Sequence, residues 1–148
     1  MSDFDPSAIR SQRLQRFFDY WSDKRRAESL PGRADIDPLA FVWALGYVSL
    51  YDVLPDGDFR IRLDGSRVAE FFGADLTGRN ASQHPQGEMA DLIRGTLRRV
   101  AALRLPLVQQ REIQMQARYW RYESLTLPLA DDGLQVDSLV CVFDFEGR

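Results

Sequence analysis

FRIRLDGSRVAEFFGADLTGR, residues 59–79, is the stretch on which the fold turns. Phe59, Ile61 and Leu63 alternate with Arg60 and Arg62, the two-residue period of a strand with one covered face. Gly65-Ser66 then breaks the strand, RVAEFF reads as a short helix, and Gly73 stops it. Immediately upstream, residues 47–54 are rich in β-formers and Pro55-Asp56-Gly57-Asp58 is a turn, so two strands form a hairpin before the helix begins. Downstream comes a polar, turn-rich segment, ADLTGRNASQHPQG. Met89, Leu92, Ile93, Thr96, Leu97 and Val100 then mark the inner face of a longer helix ending before Pro106. The remainder reads as three strands, at about 107–115, 118–128 and 134–145, the last two joined by Ala130-Asp131-Asp132-Gly133.

The N-terminal segment has a different texture. Leu14, Phe17, Phe18 and Trp21 recur at helical spacing within residues 9–27, and Pro31-Gly32 stops the run. Asp37-Pro38 opens a second short helix, the aspartate accepting orphan amides and the proline suiting the first turn. The order is helix, helix, two strands, helices, three strands. It predicts an α+β domain with a five-stranded antiparallel sheet, helices on one face and an additional N-terminal helix. Residues 1–8 read as a flexible tail, 9–38 as the N-terminal helix and connector, and 39–148 as the α+β domain.

Composition narrows the function classes. At 148 residues the chain reads as one domain, and no apolar run is long enough to span a bilayer. The first residues lack the apolar segment of a signal peptide, and the single cysteine, Cys141, fits a reducing compartment; a cytoplasmic location is expected. A net charge of −3 argues against bulk attraction to nucleic acid or acidic lipid, so neither nucleic acid nor membrane is an expected partner. Arg94, Arg98 and Arg99 read as the solvated side of their helix, which also carries Glu88 and Asp91.

Order and length resemble the PAS fold. Tyr20-Trp21, LPGRADIDP at residues 30–38, the 59–79 stretch, Tyr122-Glu123 and Leu127-Pro128-Leu129 together resemble the bacterial single-domain PAS group PAS_5. That resemblance implies a stand-alone sensory, signal-transduction or protein-interaction module, and it supplies neither a ligand nor an activity. Gly78-Arg79-Asn80-Ala81 is similar to the GRNC start of the flavin-binding light-sensing PAS subgroup, where the cysteine forms the photo-adduct. Ala81 has no sulfur, so the match is read as turn geometry.

Catalytic signatures are absent: no GxxxxGKS/T loop, no GxSxG elbow, no HExxH and no paired CxxC. No catalytic residue, metal or cofactor is expected. His84, the single histidine, reads as a loop residue before Pro85, with a haem-ligand role as the alternative. Cys141 falls in the alternating set Leu139, Cys141, Phe143, Phe145 and reads as a small core thiol. The strand arginines Arg60, Arg62, Arg111, Arg118 and Arg121 are expected to pair across strands with carboxylates such as Glu112, Glu123 and Asp144. A small-molecule site is expected between the inner sheet face and the helices, with Arg62, His84, Trp120 and Tyr122 as candidate contacts. A protein-only scaffold and a small cystatin-shaped enzyme are the alternatives.

Leu14, Phe17, Phe18 and Trp21 offer more aromatic surface than a narrow stripe needs. They are expected to form a homodimer interface, each helix packing on the other's sheet; the alternative is a helix folded onto its own sheet.

Overall fold

The computed structural model describes residues 4–115 and 117–146. Five strands, β1 (Val48–Val53), β2 (Phe59–Asp64), β3 (Leu107–Met115), β4 (Arg118–Leu129) and β5 (Ser138–Glu146), form one sheet in the order β2-β1-β5-β4-β3. Every neighbouring pair is antiparallel. Three α-helices accompany it: α1 (Gln12–Asp23), α2 (Ser66–Phe72) and α3 (Gly87–Leu103). The expected order holds, with helices inserted after the second strand.

Local chemistry sets the element ends. The Ser11 side chain accepts from Leu14 N–H and starts α1 three residues later than the apolar period suggests. Gly73, at φ 90°, closes α2 in the left-handed region that glycine enters without strain. The short helix expected at Pro38 is a single 3-10 turn, Pro38–Phe41, capped by Asp37. Strand β5 begins at Ser138 rather than 134, because the Asp132 carboxylate accepts from Leu134 and Gln135 N–H and holds a turn there. In the segment expected as a loose tail, Phe4 is half-buried, while Asp5 to Ala8 are exposed and shaped into a turn. Asp5 caps a 3-10 turn at Pro6–Ala8, and the Phe4 ring lies 5.4 Å from that of Phe18.

The two sheet faces are covered differently. Helix α1 packs on β4 and β5 from one side. Leu14, Phe17 and Trp21 are buried there, and Trp21 Nε1 donates to the Pro128 carbonyl at 3.0 Å. Burying each such side chain is worth roughly 1.5–3 kcal/mol. On the opposite, inner face α3 lies over β4, while Phe71 and Phe72 of α2 meet Tyr122, Phe143 and Phe145. As a result β4 is buried on both faces from Tyr122 to Leu129.

Within the described chain α1 takes the alternative arrangement, a helix folded onto its own sheet. Leu14, Phe17 and Trp21 are consumed by the chain's own sheet, and Phe18 is half-covered by Phe4 and Trp21. Most of the apolar surface expected at a homodimer interface is thus covered within the chain, with Phe18 partly open.

Candidate functional site

Along β4, alternation sends Tyr122, Ser124 and Thr126 to the inner face and Glu123, Leu125 and Leu127 to the α1 side. Gln109 and Arg111 of β3, Tyr51 of β1, and Cys141 and Phe143 of β5 complete an inner wall, and Leu92, Ile93, Thr96 and Leu97 of α3 close it. The cavity between them is about 30 Å³, room for roughly two waters.

Its wall mixes polar with apolar groups, and Leu92, Ile93, Thr96, Gln109 and Arg111 along it are only half-buried. Thr96 Oγ1 donates to Gln109 Oε1 at 3.2 Å, and Arg111 Nε reaches the same oxygen at 3.4 Å. Thr126 Oγ1 donates to Cys141 Sγ at 3.4 Å. Tyr122 and Ser124 are only 6% and 5% exposed, yet neither side chain hydrogen-bonds to any described residue. Neither oxygen is sealed from the cavity, the sealed unpartnered side-chain atom among the described residues being Arg94 Nε, so both hydroxyls are open to bond whatever enters that space. Arg111 likewise makes no ion pair with a described carboxylate.

Burial raises the Tyr122 hydroxyl to about 12, with the Arg111 guanidinium pulling the other way. Burial also raises the Cys141 thiol to about 12 and pushes Tyr51 well above the usual phenol range. These groups are protonated donors at neutral pH, not nucleophiles. Outside the cavity, opposite Cys141 in the β1–β5 register, Ser49 Oγ donates to Asp64 at 2.8 Å, and Asp64 also accepts from Leu76 N–H. The carboxyl is raised by burial against those hydrogen bonds.

Of the four expected ligand contacts, only Tyr122 lines this cavity. Arg62 follows its strand's alternation to the other face, where it meets Asp52 at 3.3 Å beside Arg33. His84 is buried in the turn after Ala81–Gln83, its Nδ1 accepting from Gln86 N–H at 3.1 Å and its ring edge-on to Phe72. Burial lowers its pKa, so it stays neutral and shapes the turn. Trp120 stands edge-on to Phe71 at 4.9 Å and lines a separate surface groove with Tyr47, Arg67, Glu70 and Phe145.

The strand ion pairs also differ from expectation. Arg121 and Glu112 do pair across strands. Glu123 instead accepts Arg10 and Ser11 N–H, both at 2.8 Å, at the entry to α1, and Asp144 takes Arg13. Arg94, expected in solvent, lies 3.4 Å from the Asp58 carboxylate and ties α3 to the β1–β2 turn. Thr96, Gln109, Arg111, Ser124 and Thr126 were not foreseen as site residues.

A five-stranded antiparallel sheet interrupted by helices after its second strand, with a cavity under those helices, defines a small α+β module of the PAS type. The chain belongs to the PAS domain family, whose model matches residues 3–143. Among solved structures it is similar to the PAS domain of Bordetella pertussis BvgS, at 20% identity and TM-score 0.58, covering 76% of this chain and 89% of that one. It is also similar to VqmA bound to DPO, at 13% identity and TM-score 0.56, covering 68% of this chain and about half, 52%, of that one. A Rhodobacter sphaeroides LOV protein matches at 16% identity and TM-score 0.50, over 68% of this chain and 60% of that one. A comparison with curated protein sequences finds no match. Where the light-sensing subgroup's pattern has cysteine this chain has Ala81, buried at the start of a 3-10 turn that follows Gly78 at φ 88°. Among the described residues no helix is long and apolar enough to cross a membrane.

Proposed function

We propose that this PAS domain is a cytoplasmic, non-catalytic sensory module that binds a small molecule in the inner-face cavity and passes its occupancy to a signalling partner. The observation that carries the reading is that the Tyr122 and Ser124 hydroxyls, bonded to no described residue and open to the space, face one cavity beside Arg111. Two hydroxyls and a guanidinium converging on one partly apolar cavity are the polar groups with which a small-molecule site orients its ligand. Helix α3 is the natural output element: it lines the cavity through Thr96 and Leu97 and is held to the β1–β2 turn through Arg94 and Asp58. The high thiol pKa of Cys141 and the buried, neutral His84 offer no nucleophile or free base, which supports binding over catalysis.

Native mass spectrometry of the purified protein, compared with its denatured mass, tests this directly. A small bound mass released on denaturation is expected. Protein of bare mass that shows no shift on incubation with a small-molecule library would reject it. A second reading, a protein-interaction scaffold without ligand, is favoured by the cavity's small size, about 30 Å³, and predicts that bare mass.

A further inference from the structure

The chemistry of the cavity wall narrows what it holds, given the small-molecule reading above. Three groups on it have capacity to spare. Tyr122 and Ser124 hydroxyls lack protein partners, and Arg111 makes one weak bond to Gln109 and no described ion pair. Arg111 and Tyr122 are directly opposite in the β3–β4 register, and Ser124 is two residues along the same face of β4. An arginine fork matches a carboxylate's two oxygens, and phenol and alcohol hydroxyls donate to whatever lone pairs remain. Asp64, the carboxylate that acts on Tyr51 and Cys141, does not line the cavity and is already engaged by Ser49 and Leu76. The wall therefore offers donors and one half-buried positive charge without a described ion pair, and no carboxylate is among the residues lining it.

We infer that the ligand is a small carboxylate, its two oxygens held by Arg111 and Tyr122 with Ser124 completing the site. The free volume, about 30 Å³, matches a carboxylate no larger than acetate, its methyl group toward Leu92 and Ile93, and excludes a nucleotide or an aromatic cofactor.

Two-dimensional amide NMR of the full chain, titrated with sodium acetate against matched sodium chloride, tests the assignment, with acetamide as the neutral probe of the same shape. Acetate is expected to give saturable shifts at Ser124, Thr126 and Leu97, and acetamide to bind about tenfold more weakly or worse. Arg111→Gln should weaken acetate about tenfold, while Arg111→Lys retains part of the affinity because it keeps the charge. Equal binding of acetamide, or undiminished acetate binding by Arg111→Gln, overturns the carboxylate assignment while leaving the small-molecule reading intact. Absence of saturable shifts at the cavity with both probes also overturns it, and the native-mass measurement then decides the broader reading by itself. Should Arg111→Gln fail to fold, the acetate–acetamide contrast on the unaltered chain and the Arg111→Lys variant decide the matter.

Discussion

Glu123 shows how one side chain can hold an element in place. Its carboxylate is 6% exposed and accepts Arg10 N–H, Ser11 N–H and Gln110 Nε2, each at 2.8 Å. These are the charge-assisted bonds that fix the chain's entry into α1. Glu123→Ala strands those donors at a covered interface, and a loss of about 2–4 kcal/mol is expected by urea unfolding. Glu123→Gln keeps one acceptor oxygen and should cost about half as much; equal stability of Glu123→Ala and the parent would rule out the anchor. The buried protons of Cys141 and Tyr122 give a second residue-scale expectation. Both groups have folded pKa values raised to about 12. The unfolded chain releases those protons first, from about pH 9–10 upward. Between the unfolded and folded values the native state binds more protons, so stability is full below about pH 9 and falls as pH rises toward 12. Alkaline unfolding should be one transition followed by tyrosinate absorbance; flat stability from pH 8 to 11 would contradict the burial of these groups.

At the scale of elements, the alternation of Phe59 to Leu63 announced β2, and the glycines around RVAEFF announced α2. Both signals are local and were read correctly. Strand β4 resisted the same reading because it is buried on both faces. Tyr122, Ser124 and Thr126 look like the wet side of a strand whose Leu125 and Leu127 look dry, yet α1 covers the second set and α3 the first. Alternation therefore separated the faces without telling which held the cavity. Arg62 entered the candidate contacts on its charge alone, although its own strand period already pointed it away, and it pairs with Asp52 there. Arg111 was seen only as one of several strand arginines, since its lack of a partner is a tertiary fact. The crossing from β2 into α2 also depends on a close approach that composition does not show. A Cβ on Gly65 would overlap the Gly46 carbonyl, which is backbone and cannot swing aside. Gly65→Ala should therefore lower stability by at least about 2 kcal/mol in thermal or chemical unfolding, more than a helix-end glycine exchange costs. A variant as stable as the parent would mean that the two loops separate freely.

Across the whole molecule, the N-terminal segment belongs to the fold rather than standing beside it. The sheet has an apolar outer face, with Leu125, Leu127, Val140 and Val142 all fully buried. In this chain α1 is what covers β4 and β5 from that side. The helix is fastened at three points: Glu123 at its start, Arg13 to Asp144 at 3.1 Å, and Trp21 to the Pro128 carbonyl near its end. A chain beginning at Ser29 loses Leu14, Phe17 and Trp21, each contributing roughly 1.5–3 kcal/mol of burial. That sum is comparable to the whole stability of a typical domain. The shortened chain also presents a bare apolar sheet face to water, a surface that promotes association. Light scattering and thermal unfolding on the two chains provide the measurement. The full chain should be monodisperse and melt cooperatively, and the shortened one should melt far lower or associate into heterogeneous species. A shortened chain that stays monodisperse with an unchanged melting temperature would show that α1 is an appendage and that something else protects the outer face.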